Sequence, residues 1–197
     1  MNKSIDFFDA QFREQLRSGE LALNPFETMA LPHLRGRLLD FGCGLGNLAV
    51  AAARQGCSVL ALDASPTAIA HLRRLAAADA LDIEAIEADL ASYALTEDFD
   101  SMVSIGLLMF LDCAAAHARL AMLKSRLRPG GTAVINLLVA GTTYLDMFDG
   151  AGYCLFGRDE LRASFDGWTV LDEEFSDFAA PGGTTKAFVT LTARKPG

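Results

Sequence analysis

Between Arg37 and Gln55 the chain changes character twice. An apolar run, Arg37-Leu38-Leu39-Asp40-Phe41, gives way to a loop with glycine at every second position, Gly42, Gly44 and Gly46, and then to an alanine-rich stretch from Leu48 to Gln55. This order of strand, glycine loop and helix constrains the chain more than any other feature, because glycine serves where backbone turns sharply or approaches a ligand closely. The next apolar run, Ser58 to Leu62, ends in Asp63, where a carboxylate can accept both hydroxyls of a ribose. Together these segments predict a ribose-bearing cofactor at the carboxyl ends of two parallel strands.

The same alternation continues. Ser65-Pro66 is a helix start by its cap and N1 preferences, with the helix running to about Ala78. Strands are expected over Ile83–Ala88 and Ser101–Ile105, a helix over Asp112–Leu127, a turn at Pro129-Gly130-Gly131 and a strand over Thr132–Val139. Continuous apolar strands separated by helices imply a parallel sheet covered on both faces. Before it, Ile5 to Leu16 has helical spacing in Phe8, Phe12 and Leu16, and Asn24-Pro25 with Glu27 reads as a capping box. After it, Ala140–Gly152 is loop-like, a short helix is expected around Arg158–Phe165, and Thr169–Phe175 and Lys186–Thr192 read as a terminal hairpin that brings an antiparallel strand into the sheet. The 197 residues, 51% of them hydrophobic, form one domain over 1–197, with 1–34 as a helical cap and 140–165 as an acceptor-side insertion.

Several classes are disfavoured. A formal net charge of −8 repels polyanions, so no nucleic-acid partner is expected. The longest apolar run, Met102–Leu111, is far short of the roughly 20 residues of a bilayer span, and Met1–Ser4 leads into Asp6 without a signal-like apolar region. No membrane partner and a cytoplasmic location are therefore expected. Cys43, Cys57, Cys113 and Cys154 are scattered, without metal-ligand spacing, and read as small reduced core residues; no metal is expected. The three histidines, His33, His71 and His117, read as surface or packing residues, so the catalytic residue stays unassigned.

Glycines spaced Gly-x-Gly-x-Gly, rather than Gly-x-Gly-x-x-Gly, and an acid, Asp40, beside the loop disfavour a pyrophosphate and suit a cationic ammonium or sulfonium. Leu39-Asp40-Phe41-Gly42-Cys43-Gly44-Leu45-Gly46 resembles motif I of the class I S-adenosylmethionine (SAM)-dependent methyltransferases. The resemblance implies a Rossmann-like α/β fold with a seven-stranded sheet of order 3-2-1-4-5-7-6, its last strand antiparallel. It also implies SAM held by Asp40, Gly42, Cys43, Gly44 and Gly46, by Asp63 with Ala64 on the ribose, by Asp89 and Leu90 around the adenine, and by Ser104 and Ile105 beside the methionine part.

Phe8-Asp9-x-x-Phe12, Met109-Phe110-Leu111, Glu160-Leu161 with Gly167-Trp168, and Ala193-Arg194-Lys195 are similar to the small tellurite-resistance methyltransferases of the TehB type. Where that group carries histidine and arginine in the terminal hairpin, this chain reads Ser176-Asp177-Phe178-Ala179-Ala180-Pro181. Phe8, Phe12, Tyr144, Phe148 and Tyr153 are candidates for an aromatic acceptor lid or for core packing. The implied activity is methyl transfer to a small-molecule or metalloid or chalcogen acceptor, by a monomer or homodimer. A non-catalytic SAM-binding regulatory protein and an NAD-dependent oxidoreductase are the competing readings.

Overall fold

The computed structural model describes residues 3–19, 21–148, 150 and 152–197, with side chains from Phe7 onward. Met1 and Asn2, from which the leader reading starts, lie outside these residues, as do Glu20, Asp149 and Ala151. Helices α1 (Lys3–Ser18) and α2 (Pro25–Ala30) precede β1 (Arg37–Phe41), α3 (Asn47–Arg54), β2 (Ser58–Asp63), α4 (Pro66–Ala78), β3 (Ile83–Glu87) and β4 (Phe99–Ile105). Then follow α5 (Cys113–Ser125), β5 (Leu127–Leu138), α6 (Glu160–Ala163), β6 (Thr169–Ala180) and β7 (Thr184–Arg194). The seven strands form one sheet of order 3-2-1-4-5-7-6. β1 to β5 run parallel, and β7 pairs antiparallel with both β5 and β6.

Most boundaries follow from local chemistry. Asn24 caps α2, its Oδ1 accepting from the Glu27 amide at 2.9 Å while the Glu27 carboxylate accepts from the Asn24 amide at 2.8 Å. Ser65 caps α4 by accepting from the Ala68 amide, and Asp112 caps α5 through Ala115. Several boundaries shift. β5 begins at Leu127, ahead of Pro129-Gly130-Gly131, and α5 ends at Ser125. The cause is tertiary: Leu127 pairs with Phe99, and the Gly130 amide donates to the Lys195 and Pro196 carbonyls, so the turn is held inside the sheet as an irregularity. The hairpin strands extend past the predicted ends, closing at Pro181–Gly183.

The pleat divides the core into two layers. Leu38, Ala61 and Val103 pack with Leu48, Ala52, Ile69 and Leu72 of α3 and α4. Leu39, Phe41, Met102 and Ile135 pack with Leu120 and Leu123 of α5 and with Phe148, Phe156 and Phe165. Burial of such side chains at about 25 cal/mol per Å² is the main stabilising term. Because alternate residues face opposite layers, Asp40 lies on the α2–α3 side. Among the described residues no helix is long and apolar enough to cross a membrane.

The cysteines correct the sequence reading. Cys43 and Cys57 are free and buried, but Cys113 at the start of α5 and Cys154 in the insertion form a disulfide, with Cα atoms 4.7 Å apart. They are separated by 41 residues, and nothing in that spacing signals a pair; the fold brings them together.

Candidate active site

A cavity of about 660 Å³ opens at the carboxyl ends of the central strands. This is where an open α/β sheet holds its ligand, on either side of the point where strand order reverses between β1 and β4. Its wall contains Asp40, Gly42, Cys43 and Gly44 from the first loop, Asp63, Ala64 and Ser65 from the end of β2, Asp89 and Leu90 after β3, and Ile105 from β4. Phe8, Gln11, Phe12 and Gln15 of α1 complete that part of the wall, with Phe26 and Glu27 of α2 beside them.

The loop works by shape and charge. Its first amides are already engaged: those of Gly42 and Cys43 donate to the Leu62 carbonyl at 2.8 and 3.0 Å, and that of Gly44 donates to Asp63 at 2.8 Å. These three amides are therefore not free to donate to a ligand, which fits a cationic ligand better than a phosphate. At Gly44, with φ +52°, an added Cβ would meet the Phe12 ring at 3.2 Å, so the close approach of α1 requires glycine. Asp63 accepts one amide on each oxygen, Gly44 on one and Ser65 on the other, both at 2.8 Å, leaving each oxygen a lone pair for a ribose hydroxyl. Burial raises its pKa, opposed by bonds from the Ser65, Gly44 and Ala64 amides.

Asp40 is 4% exposed, and its Oδ2 has no hydrogen-bond partner within the protein. Burial, then repulsion by Glu27 and Asp63, raises its carboxyl well above the usual range. Burial likewise raises Glu27, against the bond from the Asn24 amide. An orphaned buried carboxylate facing a cavity with four acidic side chains, Glu27, Asp40, Asp63 and Asp89, suits a ligand that brings positive charge. These residues would suit SAM, with Asp40 and Glu27 toward its cationic methionine part, Asp63 toward the ribose, and Asp89 and Leu90 toward the base.

Some expected residues stand elsewhere. Gly46 is off the wall; it precedes α3 in a left-handed conformation, and a Cβ there would strike Leu72 at 2.5 Å, so its task is packing between α3 and α4. Ser104 is buried on the α5 side of β4, its hydroxyl unpartnered, while its neighbour Ile105 reaches the cavity; the pleat keeps consecutive residues from sharing a face. Phe8, Phe12 and Tyr144 line the cavity. Phe148 and Tyr153 do not: their rings stack on each other at 4.4 Å, and Phe148 packs on Phe110 at 5.1 Å, supporting the wall from behind.

Sequence reasoning missed the far end. Leu107, Met109 and Phe110 after β4, Asn136 of β5, Met147 of the insertion, and Lys186 and Phe188 of β7 all line it. The lysine Nζ lies 4.9 Å from the centre of the Tyr144 ring. Asn136 donates to Thr190 Oγ1 at 2.9 Å and keeps an unpartnered buried Oδ1. Hairpin alternation, read to its end, places Lys186 and Phe188 on one face; no signal located Asn136. None of His33, His71 and His117 lines the cavity. His71 is buried with its pKa lowered by burial and by Arg74, and His117 meets Glu160 at 3.2 Å.

Comparison with known proteins agrees with this geometry. Residues 38–131 match the family model of a methyltransferase domain. Hemagglutinin 1 of Eikenella corrodens is 31% identical over 168 residues, 82% of this chain and 55% of its own length, so the chain spans about half of that relative. TehB from Haemophilus influenzae superposes with a TM-score of 0.76 at 21% identity, over 88% of this chain and 63% of that one. The N-methyltransferase NodS from Bradyrhizobium japonicum, in complex with S-adenosylhomocysteine (SAH), superposes with a TM-score of 0.70 at 18% identity, over 90% and 91%. The sheet order is that of the class I methyltransferase fold, and residues 38–131 match a methyltransferase domain.

Proposed function

We propose that the protein transfers the methyl group of SAM to a small acceptor whose reacting atom is soft or already anionic: a thiolate, a selenium or tellurium species, or a carboxylate. The observation that carries this reading is the composition of the far end of the cavity. Aromatic and methionine side chains wall it, Lys186 is the one cation among the described lining residues, and no histidine lines it. Methyl transfer is an in-line displacement at a sulfonium carbon, for which alignment and exclusion of water count most. A nucleophile with an available lone pair at neutral pH needs no side chain to take its proton.

Lys186 would attract and orient the anion, and Phe8, Phe110 and Tyr144 would close the apolar wall around it. The resemblance to TehB supports a metalloid or chalcogen acceptor, and NodS shows that the same fold serves nitrogen acceptors in another protein. The cavity volume of about 660 Å³ and the net charge of −8 support a small molecule over a nucleic acid.

The test is a turnover screen that reads SAH release with SAM plus thiols, selenite, tellurite, small carboxylates and amines. Turnover with an anionic or soft acceptor is expected, and Lys186→Ala should raise its KM about tenfold, the scale of one charge-assisted contact, while SAM affinity holds. Turnover confined to amines and indifferent to Lys186 would overturn the reading. SAM binding without turnover on any acceptor would favour a regulatory, non-catalytic protein.

A further inference from the structure

Beside the cavity-lining face of α1 stands a buried carboxylate that the methyl-transfer reading does not use. Asp9 is 7% exposed. It accepts from the Ser65 hydroxyl at 2.5 Å and the Thr67 amide at 3.2 Å, and pairs with Arg13 at 2.6 Å. Arg13 itself donates to Thr67 Oγ1 at 3.3 Å. A carboxylate this buried is stable only when fully partnered, and the partners here lie across the gap between α1 and the first turn of α4, where a negative charge also meets the positive end of the helix dipole. These bonds keep Asp9 ionised against the cost of its burial.

The partner Ser65 is not an isolated contact. Its hydroxyl accepts from the Ala68 amide while donating to Asp9, and its own amide donates to Asp63, whose other oxygen receives the Gly44 amide. A continuous chain of hydrogen bonds therefore runs from α1 through the cap of α4 to the carboxylate at the ribose position and on to the glycine loop. Nearly one turn along α1 from Asp9, on the adjoining face, Phe12 lies against Gly44. α1 thus covers the cofactor end of the cavity while gripping the segment that carries Asp63.

We infer that Asp9 is a positioning residue: it latches α1 shut on α4 and, through Ser65, holds Asp63 in its ligand-binding orientation, so that release of the cofactor product requires the latch to open. This rests on the reading of the cavity as a SAM site. A role confined to fold stability would lower the unfolding temperature and leave ligand kinetics alone.

The experiment measures SAH dissociation from the full chain by rapid dilution of radiolabelled SAH. It compares wild type, Asp9→Ala, Asp9→Asn and Arg13→Ala, with thermal unfolding recorded for each. Asp9→Ala should release SAH about tenfold faster or more, as expected for loss of hydrogen bonds to a charged group. Asp9→Asn, which still accepts from Ser65 and Thr67, should recover most of the slow release, and Arg13→Ala should fall between. Dissociation within twofold of wild type in a folded Asp9→Ala protein overturns the latch alone, whereas wild-type protein that binds no SAH overturns the cofactor reading with it. Should Asp9→Ala fail to fold, hydrogen exchange on wild type decides: amides of residues 8–16 must gain protection when SAH binds, and unchanged protection refutes the latch.

Discussion

The two ends of the cavity are built in different ways. The cofactor end comes from short stretches that are neighbours in sequence or in the sheet: Asp40 to Gly44, Asp63 to Ser65, and Asp89 with Leu90. Backbone amides bonded to the Leu62 carbonyl and the Asp63 carboxylate fix its shape. The acceptor end is assembled from remote pieces: Phe110 after β4, Asn136 of β5, Tyr144 of the insertion and Lys186 of β7. Aromatic packing and the Cys113–Cys154 disulfide hold it in place. The difference teaches that the two ends can vary separately, because the loop bonds of the first run through none of the residues named at the second.

Four measurements would break or sharpen that contrast. The largest effect is expected from Cys113→Ser with Cys154→Ser, which should cost about 2–4 kcal/mol of stability for a cross-link closing a loop of this length. Denaturant unfolding reads that loss, and SAH affinity should stay within about twofold; an equal loss of affinity would show that the two ends are not independent. Asp63→Ala should lose about 1.5–3 kcal/mol of SAH binding by calorimetry, the worth of hydrogen bonds to a charged acceptor. Hydrogen exchange in residues 142–148 should not change in that variant, and unchanged SAH affinity would remove Asp63 from the site.

Asp40 gives the third. Its carboxyl is raised in the folded protein by burial and then by Glu27 and Asp63, so the neutral form is the one that folding favours. Its contribution to stability is therefore full below the ordinary carboxylate pKa of 3.8 and is lost as pH rises through the raised value. Asp40→Asn should remove that loss and stabilise the ligand-free protein at neutral pH, on the order of 1 kcal/mol, while weakening SAH binding. Thermal unfolding at acid and neutral pH checks it, and identical pH profiles for variant and wild type would contradict it. The smallest effects belong to His33→Ala, His71→Ala and His117→Ala. Single-turnover rates should fall by less than about tenfold in each, against the 10²–10⁴ that a general base supplies.

Much of the sheet was legible because its signals are local. Apolar runs of strand length, the caps Asn24 and Ser65, and the glycine loop each act within a few residues, and the structure keeps them nearly in place. Asp40, Gly42, Cys43, Gly44, Asp63, Ala64, Asp89, Leu90 and Ile105 reach the cavity wall for the same reason: each sits at or just past the end of a parallel strand. Gly46 and Ser104 show where that logic stops. A motif names consecutive residues, but a pleat or a helix start sends only some of them to the ligand side.

The sequence by itself determined the class of fold, the order of its elements and the chemistry of the cofactor end, since periodicity, capping and strand-end acids are properties of short segments. Only the tertiary structure decided that Cys113 meets Cys154, that Lys186 faces Tyr144 across the acceptor end, that Asp9 reaches Ser65, and that Phe148 and Tyr153 support the wall instead of forming it. Apart from the Phe148–Tyr153 stack, those contacts join residues dozens of positions apart. Hydrophobic pattern records that a side chain is buried and does not record what it is buried against, so the partner is chosen by how whole elements pack.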